Sequence, residues 1–170
     1  RKGWGTHTHD FWCCHGSLVQ ANATHTRGIY FEDSDGVAVC QYIPSVLTWN
    51  RDGTAVAIRQ ETDTQAGSCG KVNRTNIHVM HRPMSLMMHI SVNCEKTAEF
   101  NLKLRLPWWI KGATVWVNGE KQAVQATPST FFNLQRAWKD DRITIELEKG
   151  LTVSPLPDDP EVVAFMEGPV

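Results

Sequence analysis

The feature that most constrains this chain is a series of short, alternating, β-rich runs separated by turn residues. It begins at Gly28 and continues almost to the end. In "EFNLKLRLP" the apolar Phe100, Leu102, Leu104 and Leu106 alternate with Asn101, Lys103 and Arg105. A period of two sends the two sets to opposite faces of a strand, so this run predicts a strand with one buried and one wet face. "TAVAIRQETD" repeats the pattern, with Val56, Ile58 and Gln60 against Ala57, Arg59 and Glu61. Turn signals fall between the runs: Asp35-Gly36 between "GIYFED" and "VAVCQYI", "RDG" after "SVLTWN", and Asn118-Gly119 inside "TVWVNGEKQAV". Asn-Gly and Asp-Gly steps accept the positive φ angles that two-residue hairpins need. With "NIHVMH", "LMMHISVN", "TFFNLQ", "RITIELE" and "LTVSP" the series amounts to about ten short strands. Each sheet then has one apolar face, and two such faces packed together predict an all-β, antiparallel, jelly-roll-like β-sandwich.

The rest of the chain is less regular. Residues 1–12 show no period and read as a loop. "GSLVQANATHTR", residues 16–27, predicts a short helix with Ser17 as N-cap. "PLPDDPEVV" is a Pro-rich, acidic kink before a last apolar strand, which opens a second sandwich or closes the first. The expected organisation is therefore residues 1–27 as loop and helix, 28–150 as the sandwich, and 151–170 as closing strands or the start of a second unit. A net charge of −1 without a basic block argues against nucleic acid or an anionic membrane as partner. No apolar run reaches the length of a membrane span. The start "RKGWGTHTHD" and the end "VVAFMEGPV" both read as cut from a longer protein.

Chemistry-bearing residues are few. Adjacent cysteines, Cys13 and Cys14, stand in "HDFWCCHG" between His9 and His15. A bond between them would strain the peptide that joins them, because disulfide geometry needs Cα atoms further apart than neighbours are. A thiolate is a nucleophile and a soft zinc ligand, so catalysis, metal binding and inert packing all stay open for the pair. Cys40 reads as a small buried residue, Cys94 as the end of a strand, and Cys69 as a loop residue. His7 and His9 share one side of an extended segment, while His78, His81 and His89 fall in strands. Asp140-Asp141 and Asp158-Asp159 read as solvated turns, since neighbouring carboxylates do not face each other across a sugar. Trp108 and Trp109 in "PWW" read as a buried strand end, with a sugar-stacking platform as the alternative. No phosphate loop, Ser/His/Asp set or dinucleotide fingerprint is present.

Five stretches in order, "FWCCHG", "GIYFEDSDGVAVCQYIPSVLTWN", "LKLRLPWWIKGATVWVNGE", "RAWKDDRITIELE" and "PLPDDPEVVAFMEGPV", resemble the distal part of the bacterial β-L-arabinofuranosidase glycoside hydrolases. These are family GH127 and relatives such as GH146, once known only as a domain of unknown function. The resemblance runs over essentially the whole chain. It implies that residues 1–27 end a catalytic (α/α)6 barrel, that the sandwich follows the barrel, and that the parent is a retaining hydrolase. By the same resemblance Cys13 is the nucleophile and a zinc ligand, and Cys14 a second zinc ligand. The acid/base Glu, a zinc-binding Glu and a third zinc Cys belong to the barrel upstream, and residues 1–12 supply none of them. The expectation is a parent that releases L-arabinofuranose from plant-type glycans with Zn2+, in the bacterial cytoplasm, periplasm or exterior. The isolated chain is then expected to be structural, inactive and without zinc, its Cys13 and Cys14 exposed or disordered. The alternative is a non-catalytic carbohydrate-binding or scaffolding sandwich using Trp108, Trp109 or Trp116.

Overall fold

The computed structural model describes residues 13–62, 70–71, 78–79 and 84–169, and their side chains in 16–62 and 84–169. Helix α1 (Cys13–Thr24) and a 3-10 turn (His25–Gly28) lead into the strands. These are β1 (Tyr30–Glu32), β2 (Gly36–Val39), β3 (Ser45–Arg51), β4 (Thr54–Thr62), β5 (Gly70–Lys71), β6 (His78–Val79), β7 (Ser85–Leu106), β8 (Gly112–Val117), β9 (Glu120–Lys121), β10 (Thr130–Glu148), β11 (Leu151–Pro155) and β12 (Val163–Glu167). The molecule is mostly strand, as the alternation predicts. The helix starts before Ser17, which lies inside it and is not its cap.

Two strands organise the eight-stranded sheet. β7 and β10 pair antiparallel along almost their whole lengths, and each passes through two half-sheets. In the first half-sheet, the early part of β7 pairs with β4 and the late part of β10 with β8; β3 joins β4, and β9 joins β8. In the second, the late part of β7 lies between the early part of β10 and β2, with β1 beyond β2. The runs "LMMHISVN" and "EFNLKLRLP" are thus one strand, as are "TFFNLQ" and "RITIELE". The intervening residues bend without ending the ladder.

The bend is a bulge. Trp138 pairs with Ala98 and Asp140 with Asn93, so residues 94–97 of β7 stand opposite the single Lys139 of β10. Inserted residues in one strand of a pair sharpen its twist and re-aim the sheet. Beyond the bend the half-sheets face each other across one core. Phe100, Leu102, Leu104 and Leu106 from one side and Val56, Ile58, Ile90, Val92, Ile143 and Ile145 from the other are buried. Each such side chain contributes about 1.5–3 kcal/mol relative to exposure. Trp49 of β3 meets Phe100 edge-to-face at 5.1 Å between ring centroids, and Phe100 packs on Trp138 at 5.7 Å. The Trp138 indole donates to the Phe100 carbonyl at 2.9 Å, so a fully buried polar group is satisfied.

All three turn signals form hairpins. Asp52 and Gly53 (φ 50° and 81°) join β3 to β4, and Asn118 and Gly119 (φ 52° and 86°) join β8 to β9. The β1–β2 turn is closed by Asp33, whose Oδ1 accepts from the backbone N–H of Asp35 and Gly36. The pairing departs from the expected antiparallel pattern at one place: β2 runs parallel to β7, with Gly36 beside Asn101. A Cβ at Gly36 would lie 2.0 Å from the Asn101 carbonyl oxygen, so only glycine permits this approach. β11 and β12 form a separate two-stranded sheet.

Candidate functional site

Cys13 and Cys14 are the first two residues of α1. Their side chains, like that of His15, lie outside the described residues, as do His7, His9, Cys69 and His81 and the side chain of His78. The helix leads to the sandwich through buried Ile29, whose carbonyl accepts from the backbone N–H of Cys40 at 2.8 Å. Its own apolar residues Leu18 and Val19 are exposed.

A zinc ion takes about four ligands. Among the described residues, no three His, Cys, Asp or Glu side chains are grouped so that they could hold a metal. The two free thiols whose side chains are described, Cys40 and Cys94, belong to the sandwich. Cys94 is buried mid-strand in β7, and Cys40 is only half-buried just after β2. Burial pushes both thiols up, and Asp141 adds to the effect at Cys94. A raised thiol is neutral at pH 7, the opposite of what a ligand or nucleophile requires. The described residues therefore do not by themselves make up a zinc site.

Two clusters of carboxylates are committed to the fold. Asp140 and Asp141 are not a solvated turn: they sit in the bend of β10, with Asp140 exposed and Asp141 only 9% exposed. Asp141 Oδ1 accepts from Asn118 Nδ2 at 2.7 Å and from the Arg136 guanidinium at 3.3 Å, and its Oδ2 accepts from the Lys139 N–H at 3.0 Å. Asn118 in turn exchanges hydrogen bonds with the Arg142 backbone, so the Asn-Gly turn is bolted to the bulge. The Lys139 ammonium reaches across to the carbonyls of Cys94 and Glu95, in the looped-out stretch of β7. A register signal in the sequence marks this bend: the buried positions of β10 run Leu134, Trp138 and then Ile143, Ile145, Leu147, changing from even to odd.

A second charged cluster closes the β1–β2 turn. Lys103 donates to Asp33 and Asp35, and Asn101 donates to Asp35 at 3.3 Å. The Lys103 ammonium above all, and then its other hydrogen bonds, hold the Asp35 carboxyl far below the usual carboxylate range, and Lys103 is raised in return. A general acid needs a proton near neutral pH, so this depressed carboxyl is a structural anchor. His89 shares a hydrogen bond of 3.0 Å with Thr144 on the outer face of the first half-sheet.

The tryptophans divide by place. Trp138 is core, and Trp109 packs against the core. Trp108, expected to be buried, is 55% exposed because it sits on the turn between β7 and β8. Trp116 is half-buried on β8, in a cross-strand row with Thr144 and Lys121. The candidate platform residues are thus split between a turn and a strand.

Comparison with known proteins agrees with the architecture. A family profile described as "Beta-L-arabinofuranosidase, GH127 middle domain" matches residues 36–149. A GH127 β-L-arabinofuranosidase from Geobacillus stearothermophilus T6 superposes with a TM-score of 0.72 at 25% identity, covering 93% of this chain and 23% of that one. A structure titled "Glycoside hydrolase" gives a TM-score of 0.74 at 21% identity, covering 96% and 25%. The GH127 β-arabinofuranosidase BT3674 gives 0.62 at 17% identity, covering 84% and 23%. The chain thus spans about a quarter of the length of these solved relatives. No curated protein matches it.

Proposed function

The chain belongs to the GH127 β-L-arabinofuranosidase family, and from that premise we propose that it is the β-sandwich portion of a longer retaining glycoside hydrolase. The single observation that carries this reading is the match of residues 36–149 to the family's middle domain. The parent acts on β-L-arabinofuranosides in plant-type glycans. The sandwich serves it as a structural support beside a catalytic barrel, and the isolated chain has no activity of its own.

Within the parent, Cys13 is the nucleophile. Its thiolate attacks the anomeric carbon, the glycosidic bond breaks, and a carboxylic acid elsewhere in the parent protonates the leaving oxygen. Water then gives a proton to the carboxylate that this acid became and displaces the sugar from sulfur, which restores both the acid and the thiolate. Cys13 and Cys14 also contribute thiolates to a zinc site whose other ligands come from outside this chain. Zinc supplies the positive charge that keeps a coordinated thiol deprotonated at neutral pH. The placement of the pair on a helix ahead of the sandwich, rather than in it, supports this division of labour.

The test is Cys13→Ser in the longer polypeptide, assayed on an aryl β-L-arabinofuranoside. Turnover is expected to fall by at least about a thousandfold, with the circular dichroism spectrum unchanged. Activity within a few-fold of wild type would sink the nucleophile assignment. In the same experiment metal analysis of the 170-residue chain alone is expected to find no stoichiometric zinc, and tight stoichiometric zinc would contradict the shared-site reading.

A further inference from the structure

The early part of β10 is an open sheet edge. Residues 130–138 pair with the late part of β7 on one side, and β8 joins β10 only from Ile143 onward. Among the described residues no strand pairs with the other side of 130–138. Backbone groups along a strand alternate between its two sides, so this edge offers a series of N–H donors and C=O acceptors. A cleft of about 660 Å³ borders it, lined by the edge itself and by Gln122 in the connection from β9. That volume falls within the range of about 300–1,000 Å³ usual for small-molecule sites. The register sends Phe132 and Leu134 to the core side and Asn133 and Gln135 to the outer side, so the cleft has both apolar and amide surface. The Gln122 N–H donates to the Val115 carbonyl at 2.8 Å, which holds that wall in place.

The lining chemistry points to a neutral, hydroxyl-rich ligand. Among the described residues no carboxylate lines the cleft. Its one cation, Arg136, is already held by Asp141 at 3.3 Å and lies over the Trp138 ring at 5.2 Å. The amides keep unused capacity. Gln122 Nε2 donates to the Glu120 carbonyl and Asn133 Oδ1 accepts from Asn101, but among the described residues Gln122 Oε1, Asn133 Nδ2 and both ends of Gln135 have no partner. An amide offers a donor and an acceptor side by side, a pattern that vicinal sugar hydroxyls match. Another strand is a poor occupant. The bulge at Lys139 and the left-handed Ser129 (φ 62°) end the ladder on either side, and the Arg136 charge on the core side opposes strand addition. We infer that this cleft is a secondary binding site for a neutral oligosaccharide, with Gln122, Asn133 and Gln135 bonding hydroxyls and Phe132 lying against the C–H face of a ring. It holds one stretch of a glycan while another is cleaved elsewhere in the parent. The sugar class rests on the glycoside hydrolase reading of the parent, whereas the cleft takes no lining residue from α1.

A nuclear magnetic resonance titration of the 170-residue chain with L-arabinotriose tests it. Saturable backbone amide shifts are expected at residues 122–123 and 132–137 and not elsewhere. Gln135→Ala is expected to weaken binding about fivefold, the worth of one hydrogen bond, with the remaining resonances unmoved. In the longer polypeptide the same variant is expected to raise KM for arabino-oligosaccharides about fivefold and to leave kcat/KM for an aryl β-L-arabinofuranoside unchanged. No saturable shift at about 20 mM trisaccharide, or shifts centred elsewhere, would overturn the inference. So would an equal loss on both substrates, which would make Gln135 structural. Tighter binding of an extended threonine–valine repeat peptide at these residues would also overturn it and make the edge a strand acceptor. A Cys13→Ser enzyme that keeps its activity would sink the nucleophile assignment and leave this binding result standing.

Discussion

Asp141 and Asp140 differ by one position and by their whole environment. Asp140 is exposed and, among the described residues, accepts from Asn93 at 3.2 Å, whereas Asp141 is buried and accepts from Asn118, Arg136 and the Lys139 N–H. Removing one partner of a buried charged network leaves the others unsatisfied. Asp141→Ala is therefore expected to cost about 2–3 kcal/mol of stability, and Asp140→Ala less than about 0.5 kcal/mol, as read from urea denaturation midpoints. Equal effects would contradict the bolted bend. Adjacency in sequence made the two look alike; the register change at Trp138 separates them. The same limit applied to Trp108 and Trp109, where one indole reaches the core and its neighbour stays outside. Cys13 and Cys14 drew a definite role only from the resemblance of the surrounding stretches, since two adjacent thiols by themselves leave catalysis, metal binding and packing open.

At the scale of elements, local signals sufficed wherever structure is local. The Asp35-Gly36, Asp52-Gly53 and Asn118-Gly119 turns all close hairpins, because positive φ or an Asx turn is a property of a few adjacent residues. The strand faces of β4 and of the late part of β7 were equally legible from their alternation. Strand continuity was not, because a run such as "NCEKTAE" looks like a break unless a partner strand is there to carry the ladder across it. Nor was the parallel pairing of β2, which depends on contacts between residues more than sixty positions apart, such as Gly36 and Asn101. Gly36→Ala is expected to cost about 2–3 kcal/mol, because rigid backbone must give way. Gly119→Ala, at positive φ but with open space around it, is expected to cost about 1–2 kcal/mol. Denaturation of both variants checks this, and a neutral Gly36→Ala would remove the case for close β2–β7 pairing.

For the whole molecule, β7 and β10 cross from one half-sheet into the other, and both halves supply the same core. Neither half has a core to keep if the other opens. A single cooperative transition is expected for the sandwich, with tryptophan fluorescence and far-ultraviolet circular dichroism giving coincident curves. Two separated transitions, one for each half-sheet, would show that the long strands do not couple them. The sequence by itself determined the all-β class, the hairpins and the inward-facing residues, since periodicity and turn chemistry are written within a few neighbouring positions. Only the tertiary structure decided that ten apparent strands include two long bent ones, that Asp141 anchors the bend, and that the early part of β10 borders a cleft. Those outcomes rest on which distant segment lies alongside each strand, and no local pattern carries that information.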